Sequence, residues 1–337
     1  MIESFDMQVD FLVPGLFDSP NSHRISESAP ALAKLISRAS VAAEQANSVE
    51  DWLARRFGDS SDGNNFPFAS VAAFGEGIPE PGATYWLCAD PVHLSVNRDR
   101  MVLLDASQLA ITLAQSTALV AAIGAHFKDD GLRFFAPHPQ RWYIQSDRPI
   151  EIRTHPVSAV RGNSVADYWF DGADRALWQT RLSEMQMLLH AHPINDARES
   201  ANELPINGVW FWGSGKSPSG LKKPYSHIIA NDALLAGFAS LGGAHYADGK
   251  QFDPSMMVSG NALVVCNDLA ICAAYSDWEG WQQALAVIDQ TFFSPALTHL
   301  KNGEIKILRT FVPNAKSGKK LTTTRTDLFK FWRSNKL

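Results

Sequence analysis

A chain of 337 residues, 45% hydrophobic and 19% charged, has an ordinary globular composition, which excludes the disordered, fibrous and collagen-like classes. A formal net charge of −5 argues against a general nucleic-acid surface. Cys88, Cys266 and Cys272 are too few and too irregularly spaced for a disulfide framework or a zinc finger, so a cytoplasmic setting is expected.

In chain order, MQVDFLVPGL (7–16) reads as a buried strand ended by Pro-Gly. Residues 26–57 show helical spacing of Leu32, Leu35, Ile36, Trp52, Leu53 and Phe57, with Ser28 as a cap and Pro30 in the first turn. DSSDGNN (59–65) is a turn cluster, and the Pro/Gly-rich 75–94 marks a domain boundary before a strand. Strands are expected at 100–105, 132–136 and 141–146. The longest apolar run, 101–127, is broken by Asp105, Gln108 and Gln115 and reads as a strand and an amphipathic helix, so no membrane span is expected. The opening residues carry acids where a secretion signal carries lysine or arginine.

Leu177, Trp178, Leu182, Met185, Leu188 and Leu189 form one stripe of a helix over 173–192, and a second boundary falls near 199–205. From there GVWFWG, DALLAGFASLG, NALVVCN, 279–300 and EIKILRTFV alternate strand and helix. That order predicts an α/β protein with a mostly parallel sheet covered by helices on both faces. The segment 316–333 reads as a solvated basic end.

Catalytic signatures are sparse. Gly215-Lys216-Ser217 supplies the end of a phosphate-binding loop, but Trp210 stands where the leading glycine belongs, and Pro218 breaks the dinucleotide pattern. A core strand with its connecting loop is the better physical reading. There is no G-x-S-x-G elbow and no H-E-x-x-H. His190 and His192 on a helix point about 200° apart and cannot share a metal. Asp90-Pro91 followed by His93 at a strand end reads as structural.

The block LHAHPINDARESANELPINGVWFWGSGKSPSG (189–220) resembles the archaeal-type cofactor-independent phosphoglycerate mutases, through His192, Pro193, Asn195, Arg198, Asn207, Gly213, Gly215 and Pro218. SAPALAKLISRA, GEGIPEPGATYWLCADPVHL, RFFAPHPQRWYIQS and VRGNSVADYWFDGAD extend the likeness in the same order. YWLCADPVHL, RWYIQS, EMQMLLHAHPIN and VWFWGSG are similar to a bacterial subgroup also labelled regulatory proteins of the RpfE type. The resemblance implies an alkaline-phosphatase-like core from 1–80 and 205–337, with an inserted α+β domain over 81–204. It also implies two divalent metals (manganese or zinc in an active member) held by Asp and His, and a Ser or Thr phosphoryl acceptor.

The pattern is incomplete here. The first strand ends Val13-Pro14-Gly15 rather than Asp-Gly, with Asp18 three residues beyond the glycine. Residues 264–280 hold no histidine, and the closing strand offers Thr310 and Asn314 in place of Asp-His. LLDASQLAI keeps Asp105 but no arginine, and the nucleophile has only Ser60 and Ser61 as candidates. Asp18, Asp268 and Asp277 could hold at most one weakly bound cation, and no cofactor is expected. His93, Arg98, Arg100, Arg141, Asn195 and Arg198 are the candidates for an anionic ligand near the junction of core and insert.

The expected function is a mutase-like protein without two-metal phosphoryl transfer. It would bind a small phosphorylated metabolite or a protein partner in a regulatory role, with no nucleic acid and no membrane. A metal-dependent mutase or phosphatase with relocated ligands, and a scaffold without ligand, are the rival readings.

Overall fold

The computed structural model describes residues 7–20, 22–58, 66–79, 84–97, 100–250, 252, 260–330 and 332. The strands in chain order are β1 (Met7–Leu12), β2 (Ser40–Ala43), β3 (Tyr85–Asn97), β4 (Arg100–Asp105), β5 (Leu132–His138) and β6 (Arg141–Ser146). They continue with β7 (Gly208–Gly215), β8 (His227–Ala230), β9 (His245–Asp248), β10 (Asn261–Val265), β11 (Ile305–Val312) and β12 (Lys319–Thr324). The chain divides into two compact units, one of Met1–Asp59 with Leu221–Leu337, the other Ser60–Gly220. The borders expected at 80/81 and 204/205 both fall inside the second unit. Among the described residues no helix is long and apolar enough to cross a membrane.

The first unit is built on a seven-stranded sheet in the order β2-β12-β11-β1-β10-β8-β9. The five strands from β11 to β9 run parallel, and β12 and β2 are antiparallel additions at one edge. Parallel strands are buried on both faces, which is why β1 and β10 read as continuous apolar runs. Val9, Phe11 and Val13 point to one face. They pack with Leu32, Leu35 and Ile36 of the helix Pro30–Arg38, and with Trp281, Leu285 and Phe293 from later in the chain. The Phe11 and Phe293 rings lie 4.5 Å apart. The opposite face carries Asp10 and is covered by helices Val49–Phe57 and Ala233–Gly242, whose Phe57 and Phe238 rings stack at 4.4 Å.

Three local expectations are corrected here. Residues 26–57 carry the expected helical spacing on the helices Pro30–Arg38 and Val49–Phe57, but strand β2, which was not expected, lies between them. Ser28 ends the short helix Ile25–Ser28 and caps nothing. The following helix has Pro30 at its first position, and its free amides at Ala31 and Leu32 donate to the carboxylate of Asp289 at 3.2 and 2.7 Å. The segment 316–333 is not a solvated end: β12 lies within it, with Leu321 and Thr323 buried, and its Lys-Lys-Leu-Thr-Thr-Thr alternation is the period of a strand.

The second unit is an antiparallel five-stranded sheet. Its long strand β3 pairs with β7 from Trp86 to Val92, while β6 and β4 share the other edge. Strand β7, expected in the parallel core sheet, belongs here and runs antiparallel to β3. An apolar run reports burial on both faces and says nothing of its neighbour's direction. Leu87, Ala89, Trp142, Ile144, Val209 and Phe211 face helices Leu113–His126 and Arg175–His190. Helix Phe68–Gly75 belongs to this unit too.

Candidate functional site

In an open parallel sheet the strand ends at the carboxyl side form the ligand-bearing margin. In the first unit that margin is made by the residues following β1, β10 and β11. The ladders run slightly past the strands: Val13 N–H donates to Phe311 O at 2.9 Å and Cys266 N–H to Leu12 O at 3.0 Å. Beyond Pro14 the chain turns at Gly15 with φ +79°, and Gly15 O accepts from the Trp281 indole at 3.0 Å. A Cβ at Gly15 would stand 2.6 Å from the Ala270 backbone. Gly15→Ala is therefore expected to cost about 3 kcal/mol, combining a left-handed φ with a backbone clash. The measurement is the urea midpoint of the full chain, and an unchanged midpoint would refute it.

The donors on this margin can be counted. Asp18 Oδ1 accepts from Asn314 Nδ2 at 3.0 Å, and Asn314 Oδ1 accepts from the amides of Lys316 and Ser317 at 2.9 and 3.2 Å. Partial burial raises the Asp18 pKa, and the Asn314 bond opposes that rise. Lys319 Nζ sits 4.4 Å over the Phe17 ring. Asn267 Oδ1 is buried and finds no hydrogen-bond partner among the described residues. Asp268 is exposed at the start of helix Asp268–Ala274, and Asp277 spends Oδ1 on Gly280 N–H at 2.9 Å, capping its own helix. Burial, with Asp268 adding to it, holds the Cys266 thiol protonated far above the usual thiol range.

These residues do not fit a pair of divalent ions. Two such ions need roughly six protein ligands between them, from carboxylates and imidazoles. Pro14 has no ligand atom, Asp18 and Asp277 are engaged, and Asn267 and Asn314 are neutral amides. Among the described residues no three His, Cys, Asp or Glu side chains converge. His227 and His245 begin β8 and β9, at the opposite margin of the sheet, and His299 pairs with Glu304.

In the second unit a polar layer lies on one face of the sheet. Asp90 accepts from the Trp212 indole at 2.7 Å. Arg141 pairs with Glu76, and Arg161 with Asp105 at 2.5 Å. Burial pushes the Asp90 carboxyl up to about 7 despite the Trp212 bond and the Arg141 charge. The buried Tyr143 hydroxyl has no hydrogen-bond partner among the described residues. This layer can hold a proton near neutrality.

Three of the residues expected to bind an anion meet on one stretch of backbone instead. His93 Nδ1 lies 2.8 Å from Pro205 O. Asn195 Nδ2 donates to Leu189 O and Ile206 O at 2.7 and 2.8 Å, and its Oδ1 accepts from Ile206 N–H at 2.8 Å. Arg198, 2% exposed, donates to Leu204 O at 2.9 Å, to Gln115 Oε1 at 3.0 Å and to Leu109 O, and pairs with Glu203 at 3.1 Å. The His-Pro-x-Asn-x-x-Arg block thus clamps the entry to β7. Arg100 is exposed on β4, apart from that clamp. Arg98, Ser60 and Ser61 lie outside the described residues.

The glycine loop after β7 also has a packing role. A Cβ at Gly213 would lie 3.0 Å from Ala69 N and one at Gly215 2.7 Å from Pro67 Cβ, so both glycines admit the helix Phe68–Gly75. Lys216 Nζ rests 4.6 Å over the Tyr85 ring. Sequence reasoning missed the buried Asp10, which accepts from Arg56, Arg309 and Tyr225 in the first unit. The available signal was a lone charge in an apolar strand, Asp10 in β1, with Arg309 as its partner in the apolar centre of β11.

No family model matches the chain. It is 26% identical over 133 residues to a probable 2,3-bisphosphoglycerate-independent phosphoglycerate mutase of Geobacter sulfurreducens, covering 38% of this chain and 32% of that protein. The corresponding enzyme of Methanosarcina mazei is 23% identical over 137 residues, 39% of this chain and 34% of the relative. The matches thus span about a third of the length of these curated relatives. Among solved structures, the PH0037 protein from Pyrococcus horikoshii superposes with a TM-score of 0.55 at 13% identity, over 95% of this chain and 88% of that one. The cofactor-independent phosphoglycerate mutase from Thermoplasma acidophilum gives a TM-score of 0.44 at 15% identity, over 95% and 90%. The chain is weakly homologous to the cofactor-independent phosphoglycerate mutases, and it shares the mixed α/β fold of the Pyrococcus protein.

Proposed function

We propose that this chain is a phosphoglycerate mutase-like protein that does not carry out two-metal phosphoryl transfer, and that it works by binding a small phosphorylated acid in a regulatory role. The observation that carries the reading is the donor set after β1, β10 and β11: Pro14 where the resemblance calls for a ligating Asp, and Asp18 held by Asn314. Bound metals supply several kcal/mol of transition-state stabilisation to phosphoryl transfer. A margin of amides and engaged carboxylates cannot replace that.

Binding asks for less. Lys316 and Lys319 follow Asn314 across the β11–β12 connection, so two lysines stand close to the Asp18 turn. Such groups recognise a phosphate or carboxylate as point charges and donors, with no bond broken.

The test has two arms. Protein purified with manganese or zinc present is analysed for metal and assayed for interconversion of the two monophosphoglycerates. The expected result is fewer than two ions per chain and no turnover. Two ions with turnover would overturn the reading in favour of an active enzyme. In the second arm, phosphorylated three-carbon acids are titrated in a thermal-shift assay; saturation at about 100 times Kd should stabilise the chain by about 2.7 kcal/mol. A flat response to all of them would remove the metabolite and favour a scaffold.

A further inference from the structure

The amino-side margin of the same sheet carries a different arrangement. Strands β8 and β9 each begin with a histidine, and the two are direct register partners, His227 opposite His245. Parallel strands in register project such a pair to the same face, on backbones about 4.8 Å apart. The imidazole centroids are 5.7 Å apart and the ring planes are inclined by 48°. Two imidazoles that share one ion at nitrogen–metal distances of about 2.0–2.1 Å place their centroids roughly 4.5–5.5 Å apart. The observed pair is within a small side-chain rotation of that spacing.

The surroundings hold the two strand starts in place. His245 N–H donates to Ser226 O at 2.8 Å, and Ser226 N–H donates to Asn261 O at 2.9 Å, so β8, β9 and β10 are tied together where the histidines emerge. The Ser226 hydroxyl lies 3.0 Å from His227 Nδ1. A partner on one ring nitrogen orients the ring and leaves the other, here Nε2, as the ligand atom.

We propose that His227 and His245 together form a two-imidazole site for a first-row divalent transition cation, with the remaining coordination positions taken by water. Imidazole ligands and the order of divalent affinities favour copper, nickel and zinc over manganese, and exclude magnesium and calcium, which want oxygen. The site is independent of the reading given for the opposite margin: it lies at the other ends of the strands and uses none of the same residues.

The experiment uses the full chain and the metals alone. Copper(II) is titrated at neutral pH and followed by electron paramagnetic resonance, with nickel and zinc followed by thermal shift and magnesium as the control. One tight equivalent of copper with a two-nitrogen signature is expected, together with stabilisation by nickel and zinc and none by magnesium. His245→Ala and His227→Ala should each weaken copper binding by roughly tenfold or more. His245 is exposed, so that variant leaves the core untouched, and circular dichroism checks that both variants fold. Unchanged copper affinity in both variants, or no stoichiometric binding by the parent chain, would overturn the proposal.

Discussion

Asp10→Ala is expected to destabilise the seven-stranded sheet by about 3 kcal/mol. Asp10 is fully buried in the middle of β1, and its carboxylate is the shared acceptor of Arg309 Nε at 2.5 Å, Arg56 Nη2 at 2.8 Å and the Tyr225 hydroxyl at 2.7 Å. Arg56 also lies over the Trp52, Tyr225 and Phe311 rings at 5.4–5.7 Å. Removing one member of a buried ion cluster leaves the others charged and uncompensated, which costs about 3–5 kcal/mol. The arginine side chains retain 35% and 19% exposure, so both can partly recover water, which places the cost at the lower end. Arg309→Met should cost less, because Asp10 keeps Arg56 and Tyr225. Hydrogen exchange in peptides covering β1 and β11 measures the opening free energy directly. A loss below about 1 kcal/mol for Asp10→Ala would refute this reading of the cluster as a determinant of stability.

Asp90→Asn should flatten the pH dependence of the second unit. The folded carboxyl titrates at about 7, against 3.8 ordinarily. Burial is the main cause, and the Trp212 indole and Arg141 oppose it; Asp105 acts with burial. An acid whose folded pKa is raised binds its proton more tightly in the folded chain. Its contribution is therefore complete below about pH 4 and is lost as the pH rises to about 7. Each pH unit in that window is worth about 1.4 kcal/mol, which bounds the total at about 4 kcal/mol. Asparagine keeps a neutral acceptor for the Trp212 indole and cannot ionise. Above about pH 7.5 the variant should be more stable than the parent by about 2–4 kcal/mol, and at about pH 3.5 the two should agree. Exchange protection in β3 and β7 at both pH values provides the comparison. Parallel profiles for the two proteins would show that Asp90 does not titrate in this window.

The parallel sheet was legible because its strands are buried on both faces and alternate with amphipathic helices, as in NALVVCN and EIKILRTFV. Strand β7 was legible as a strand but not as a partner of β3, since Trp210, Phe211 and Trp212 specify burial and leave direction open. Strands β2 and β12 were hidden for another reason. The edge strand β2 needs apolar residues on one face at most, and Ser40–Ala43 is exposed along its whole length; β12 beside it buries only Leu321 and Thr323, too few to stand out in a lysine- and threonine-rich run. Site residues were harder still. Asn195 and Arg198 were recognisable as a motif, yet their work on the Leu204–Ile206 backbone depends on a chain fold that no local pattern encodes. Asp289 serves a helix 258 residues earlier in the chain, and nothing near Asp289 in sequence signals that.

The position of β1 between β10 and β11 has a consequence for biosynthesis. Both neighbours of the first strand lie beyond residue 260, and the acceptor that completes the helix Pro30–Arg38 is Asp289. At a synthesis rate of about 5–20 residues per second, the leading strand waits roughly 15–60 s for its last partner to leave the ribosome. The unit Ser60–Gly220 holds all five of its strands in one continuous stretch and can assemble during that wait. Translation thus separates the two assemblies in time, and an apolar leader segment stays unpaired while the middle of the protein is already built.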